Sequence, residues 1–533
     1  MSNKSKKIRN ARIIATDIFM FIAVIAIVFL MMLIAMGFKF NDDGDLEQSG
    51  LLQVSSHPSS AKVTIDGDEL LMPTEISKLL NIGEHDLKIT KTGYDTWNSK
   101  VTIESGLLTE ISWVRLFPLD PKLADVDTFS AEPSLVNVSD SRKYMLVSEK
   151  EDDHFDLLSI QEEKIKSTTI NFADIITIAA AEGETPKPVT PDEFSVVAWS
   201  GNDDKILVKH IRDNNVNWIL INTTKPKESL NLTSIFNKNF TQVLLENSSA
   251  TKAWALADGQ LLQLDLSSKA IIKTVASDVK KISSMGDTVS YIALSNEDVV
   301  FDTAESAAVS DETKEATNKI FIYKDGEEAA TSIVDLGSAE SSSILEMGTY
   351  WSSNWLAYNK GNKIFVRSGV YPSYNKSSSS DFPIIIENEL NHPATLTEVN
   401  SEGRIIMLAD QEDITSLDLE TKNFSTYKAD ANQTKLNWLD SYLLWLQKDN
   451  KLIVWDFDGN NHREIVQKTY GNYPATISSN NKYLYYFTSE EITDTTTTNQ
   501  SDESTVTSEP SAESNELIAP KAKTIYHLTR IKL

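Results

Sequence analysis

Few residues in this 533-residue chain combine the types and spacing that chemistry needs. Histidine, the usual general base and zinc ligand, occurs seven times, as His57, His85, His154, His210, His392, His462 and His527. No HExxH or HxxxH pair occurs among them, so the helical zinc motifs are absent. His85 has no second histidine or acid spaced to join it, and the expectation is a strand-end histidine satisfied by backbone. His154 follows Asp152-Asp153, but adjacent strand residues point to opposite faces, which favours a solvated hairpin over a site. Asp456, Asp458 and Asn460 have the alternation of a calcium loop without the distal glutamate that a twelve-residue site requires, so a hairpin turn is expected. Trp351, Trp355, Trp438, Trp445 and Trp455 can be read as a sugar-stacking surface. Their places inside apparent strands favour core packing. Neither a Gly-x-Ser-x-Gly elbow nor a glycine-rich phosphate loop is present. No residue is therefore assigned a catalytic, cofactor-binding or metal-ligating role, and no cofactor is expected.

The elements that would position these residues follow from composition and pattern. The chain is long enough for two or more domains. Its formal charge of −27 is unevenly spread: residues 1–40 hold Lys4, Lys6, Lys7, Arg9, Arg12 and Lys39 against Asp17 alone. The remainder repels phosphate backbones, so nucleic acid is not expected as a partner. The absence of cysteine excludes a lipoprotein anchor, disulfides and thiolate chemistry, and suggests a bacterial exported protein.

From Ile18 to Phe38 no charge interrupts an apolar run. Twenty-one helical residues rise roughly 32 Å, enough to cross a hydrocarbon core of about 30 Å. The rival reading is a cleaved signal peptide ending near Ala35-Met36-Gly37, whose apolar region usually runs only about 7–15 residues. The expectation is a basic cytoplasmic tail (1–12), a transmembrane helix (13–38) and a linker (39–50) carrying Asp42, Asp43, Asp45 and Glu47. The charge asymmetry places the N-terminus in the cytoplasm of a single-pass cell-membrane protein, with the rest outside.

Residues 51–118 read as short strands and turns. Ala61, Val63 and Ile65 alternate with polar residues before an Asp66-Gly67 turn. Leu87-Lys88-Ile89 and Val101-Thr102-Ile103 repeat the alternation, and Ile111–Leu116 ends the unit with a strand suited to an inter-domain seam. Pro58, Ala61, Val63, Ile65, Asp66, Gly67, Leu80, Gly83, His85, Gly93 and Tyr94 resemble the PEGA domain. The departures are Ser59-Ser60, where that family has Glu-Gly, and the reversed Pro73-Thr74. The resemblance implies a small extracytoplasmic β-sandwich with no common enzymatic activity.

Beyond residue 119 a polar turn followed by an apolar strand recurs. The clearest copies are NVSDSRKYMLVSEK (137–150), VVAWSGNDDKILVKH (196–210), EVNSEGRIIMLAD (398–410), 437–461 and TISSNNKYLYYFTS (476–489). Weaker copies lie near 243–266, 284–323 and 346–368. The turns Trp199–Lys205 and Val454–Asn461 resemble TolB-like propeller repeats, which implies the architecture and not TolB's role. The fold class expected is mainly β: transmembrane helix, PEGA-like sandwich, then a β-propeller over 119–533. Eight blades are counted, or seven if weak copies merge. A Ser/Thr/acid insert at about 490–520 reads as a disordered loop interrupting the last blade, with shorter inserts near 177–192, 303–318 and 371–381.

Two functions survive. The preferred one is a non-enzymatic cell-envelope module that presents the propeller to a protein, peptide or glycan. The alternative is an extracytoplasmic hydrolase or lyase, whose acids, histidines or arginines would converge at one end of the channel. A transmembrane sensor is disfavoured by so short a cytoplasmic tail.

Overall fold

The computed structural model describes all residues except 1–2, 36, 41–45, 151, 176–192, 213, 247, 298, 300–314, 338–342, 375–378, 411, 430–434, 472 and 494–521. Of the insert at about 490–520, residues 490–493 extend a strand and the rest lie outside the described residues. The insert near 177–192 and most of that near 303–318 also lie outside; of the one near 371–381 only 375–378 do, and Tyr371 there is buried. The chain divides into two compact units, Met1–Pro121 and Lys122–Lys532.

The first unit begins with a helix over Asn3–Ala35. It starts ten residues before the expected span, because nothing in the basic tail breaks a helix and lysine and arginine are good helix formers. Thr16–Leu33 is apolar and long enough to cross a membrane, and no part of it is buried. After Ala35 the chain turns at Gly37, whose φ of +81° a side chain would strain. The strands Phe38–Phe40 and Leu46–Gln48 then pair antiparallel.

Two sheets make the small module. One has Ile76–Leu80, Gly50–His57 and Leu108–Arg115 in that order, the last pair parallel. The other runs Asp68–Glu69, Lys62–Ile65, Gly83–Thr90 and Thr96–Ile103. Leu52 and Val54 from the first sheet meet Val63, Leu87, Ile89 and Trp97 from the second in one core. Alternation along each strand puts these side chains on one face and the polar ones on the other. Ile111 and Val114 face this same core. They are its inward row, because their strand pairs with the central strand Gly50–His57.

Among the described residues the second unit has eight sheets, one for each of the eight repeated segments. The first seven span 133–171, 193–231, 240–276, 279–337, 345–389, 396–428 and 443–466. In the seventh, three strands are joined by a bridge between Trp438 and Leu444 where a fourth would lie. The eighth takes Thr476–Ile477, Tyr483–Thr493 and Ala522–Lys532 from the chain's end and Leu123–Phe129 from the unit's beginning. This pairing of first strand with last ties the ends of the unit together.

Each sheet packs on the next. Leu146 and Phe155 of the first meet Ile206 and Ile219 of the second, and Leu220 of the second meets Val243 of the third. Trp254 meets Tyr291, Ile322 meets Leu356, and Val366 meets Ile406, each across a boundary between successive sheets. From sixth to seventh, Trp455 Nε1 donates to Tyr427 Oη at 3.1 Å; from seventh to eighth, Ile477 N donates to the Leu439 carbonyl at 3.0 Å. Phe487 and Leu528 of the eighth return to Met145 and Leu158 of the first. Sheets that cover both faces of their neighbours explain why second strands such as Lys252–Ala257 are nearly all buried while fourth strands such as Lys166–Asn171 are nearly all exposed. Radial stacking of this kind is a β-propeller.

The repeated polar turn has a shared cause. Ser139, Ser200, Asn400 and Ser478 each accept, through the side-chain oxygen, a backbone N–H at the start of the second strand. Three residues further on, Arg142, Asp203, Gly403 and Asn481 have positive φ. Asp440 does the same work in the seventh sheet by accepting from Leu443 N at 2.9 Å.

Candidate binding surface

The residues singled out for chemistry are mostly spent on structure. His85 is held by backbone, as expected, and also by an acid that linear spacing did not reveal. Its Nδ1 lies 2.6 Å from Asp66 Oδ2 and its Nε2 3.0 Å from the Asn81 carbonyl. Lys62–Ile65 pairs antiparallel with Gly83–Thr90, which brings the Asp66 turn beside a histidine distant in sequence. The His85 hydrogen bond and the Asp86 amide hold the Asp66 carboxyl below its usual range. His154 gathers Asp153 at 3.2 Å and Asp156 at 3.6 Å, the latter two positions along the strand on one face. Burial opposes its charge, but these carboxylates outweigh that and raise its pKa. Asp456 is 1% exposed and bound by Arg463 Nη2 at 2.8 Å and Asn461 Nδ2 at 2.9 Å, so Val454–Asn461 is a locked hairpin. His210 stacks on Phe194 and His462 on Trp455.

Of the five tryptophans, Trp355, Trp445 and Trp455 pack in the core as expected. Trp351 does not. It is 83% exposed at the tip of the hairpin between the first two strands of the fifth sheet, with φ of +54°. A bulky residue at positive φ is rare, and an exposed indole forgoes its burial. Tyr350 lies beside it, ring centroids 6.3 Å apart, and donates its hydroxyl to Glu420 Oε2 at 2.7 Å. Burial and this carboxylate push the Tyr350 phenol up to about 12.

Behind the platform stands Arg404, fully enclosed. Its Nε and Nη2 meet Asp418 at 2.9 and 2.8 Å, and Nη1 meets Glu420 at 2.5 Å. Burial disfavours its charge, yet Asp418 and then Glu420 more than offset this and raise its pKa. Its guanidinium lies 5.9 Å from the Tyr442 ring centre, and Tyr442 donates its hydroxyl to Glu402. Trp351, Glu402 and Tyr442 come from the first turns of the fifth, sixth and seventh sheets, and Glu420 from the last turn of the sixth. In an antiparallel meander these turns all fall on one face. The rings, hydroxyls and carboxylates there can stack against a ligand ring or cation and hydrogen-bond around it.

A second grouping involves the first strands, some of which touch across sheets, as Val279–Met285 touches Leu345–Tyr350. Glu398 keeps an exposed side chain, yet the protein around it disfavours its charge and raises its pKa to about 7; Glu346 adds its charge, Lys435 opposes and Asp140 adds a little more. Glu346 is itself raised by burial, opposed by Lys281 and a Ser283 hydrogen bond. Asp140 belongs to the first turn of the first sheet and Glu398 to the first strand of the sixth.

A third grouping was invisible to spacing rules. His392, Asp410 and Asp413 could offer ligand atoms to a metal within 4.8 Å of one another, beside a cleft of about 210 Å³. His392 comes from the connection between the fifth and sixth sheets and the two acids from the middle hairpin of the sixth. The donors are already engaged: Asp413 takes Asn391 Nδ2 and Lys428 Nζ, both at 2.9 Å, and Asp410 Oδ1 takes the Glu412 and Asp413 amides. As it stands the group locks a hairpin.

Comparison with known proteins gives one family and a set of distant structures. Residues 49–114 match the PEGA domain. No curated protein sequence matches the chain. Among solved structures, Citrobacter koseri AztD is 10% identical at a TM-score of 0.36, covering 76% of this chain and 95% of that one. The β-propeller domain of Myceliophteria thermophila Cps50 (Swd1) is 10% identical at 0.36, covering 63% and 97%. Kluyveromyces lactis Hsv2 is 8% identical at 0.36, covering 63% and 100%. These likenesses are remote, and the propeller is established by the sheets themselves. The chain carries a PEGA domain at residues 49–114 followed by a β-propeller.

Proposed function

We propose that this is a single-pass membrane protein, N-terminus cytoplasmic, that holds a PEGA domain and an eight-bladed propeller outside the membrane as a non-enzymatic binding or scaffolding module. The partner is a protein, peptide or glycan, received on the face that carries Trp351. The observation that carries the reading is Trp351 itself: a large aromatic, exposed and at positive φ, backed by a rigid Arg404–Asp418–Glu420 network. Folding gains little from that residue there beyond its contact with Tyr350, so a binding role accounts for it. The apolar span, the basic residues before it and the PEGA domain support the topology.

The test uses the full chain in nanodiscs against envelope extract, a glycan array and a peptide library. A ligand retained by wild type and lost by Trp351→Ala, with thermal stability unchanged, supports the reading. Equal retention by both overturns it.

A second reading has one observation in its favour. Glu346 and Glu398 stand on first strands and both are harder to ionise than usual, Glu398 partly through the charge of Glu346, and an acid near 7 is suited to proton transfer. Under this reading the chain is a hydrolase or lyase acting in the channel. Turnover of a glycan or peptide that Glu398→Gln abolishes without loss of binding would establish it.

A further inference from the structure

We propose that the end of the PEGA module next to the helix rests in the outer interface of the membrane, seated by an apolar rim of Leu51, Leu79, Ile82, Leu107 and Leu108. The inference rests on the membrane-anchored reading above. Leu51 on the central strand is paired directly with Leu79 on one side and Leu108 on the other, so the three share one face as a continuous row. Leu79, Leu107 and Leu108 are 53%, 54% and 53% exposed and Ile82 45%, whereas Leu52, Leu87 and Leu116 of the same module are buried in its core. A cluster of this kind marks an interaction surface.

Backbone bonds say what covers it. Ser49 N donates to the Gly37 carbonyl at 2.9 Å, so the residue before the module's first strand touches the residue two past the helix's end. Gly106 N in turn donates to Ser49 O at 3.1 Å, and Leu51 N to Leu107 O at 2.9 Å. The row thus stands where the chain leaves the apolar helix. One step further along the same face, Gln53 is paired with Ser77 and Glu110. The face turns from apolar to polar within two residues, about 7 Å of strand, which is the depth at which an interfacial element meets headgroups. The five rim residues are apolar, so seating depends on apolar contact rather than on lipid charge.

Because the chain has no cysteine, a single one can be introduced cleanly. The full chain is placed in nanodiscs of zwitterionic phospholipid with a fluorophore on Ile82→Cys or on Leu71→Cys. Leu71 lies in the loop that leads to Thr74, which bonds Ser56 near the far end of the central strand. The expected result is several-fold stronger quenching by brominated lipid, and weaker quenching by iodide, at Ile82 than at Leu71. Adding Leu79→Asp and Leu108→Asp should return the Ile82 label to iodide access, and anionic lipid should change nothing. Equal iodide access at both sites, with the chain still in the disc, overturns the inference alone. A chain that does not stay with the disc overturns the anchored reading and the inference with it.

Discussion

Trp351 occupies in the fifth sheet the hairpin position that Gly286 occupies in the fourth. Both follow directly after the first strand in a two-residue turn, Tyr350 pairing with Ser353 and Met285 with Thr288, and both have positive φ, +54° and +59°. Glycine suits that position and tryptophan does not. Replacing Trp351 with Asn should therefore keep or raise stability, by up to about 1 kcal/mol, because the strain is relieved and little burial is lost. Chemical denaturation of the two proteins checks this. A clear loss of stability would mean that the indole is structural.

Arg404 and Asp418 form a buried two-bond pair, and removing one member strands the other. Arg404→Ala should cost about 3–5 kcal/mol, whereas the double replacement Arg404→Met with Asp418→Leu should recover most of it. A double-mutant cycle by urea denaturation measures the difference. Additive single costs would show that the two residues do not act as a pair.

Glu398 supplies a pH dependence whose sign is fixed. Its folded pKa, near 7, is above that of an unfolded glutamate, so the native state binds the extra proton between about pH 4.5 and 7. Its contribution falls as pH rises through that window and is lowest above it. Glu398→Gln should flatten the stability profile there and stabilise the protein at pH 8 relative to wild type. Parallel melting curves from pH 4.5 to 8 would refute this if the two profiles keep a constant offset.

The same turns explain how much of this architecture was legible. The five clear repeats are those in which Ser139, Ser200, Asn400, Asp440 or Ser478 caps the start of the second strand, a chemistry that leaves a sequence mark. The weaker fourth and fifth copies turn through two residues at Gly286 and Trp351 and leave almost none. Trp351 and Trp355 looked alike because both sit in one apolar segment; only the register, which puts 351 in the turn and 355 in the strand, separates them. Asp66 with His85, and His392 with Asp410 and Asp413, are brought together by pairing or by connections between sheets, which linear spacing does not encode.

Ring closure gives the last prediction. Leu123–Phe129 and Ala522–Lys532 pair through Asp127–Leu528 and Phe129–Tyr526, and Thr529 Oγ1 donates to Asp125 Oδ1 at 2.7 Å. Leu528 is fully buried against Phe129, Met145 and Phe487, so it joins the first and eighth sheets. An aspartate there would place an unpaired charge in that core and should cost more than about 4 kcal/mol, at the upper end of single substitutions. The damage should concentrate at the seam. Amide exchange in Leu123–Phe129 and Tyr144–Glu149 should quicken before that in Lys252–Ala257, which lies two sheets away in the third. Uniform acceleration across all sheets would instead mean that the ring unfolds as one unit and that the seam is no weaker than the other boundaries.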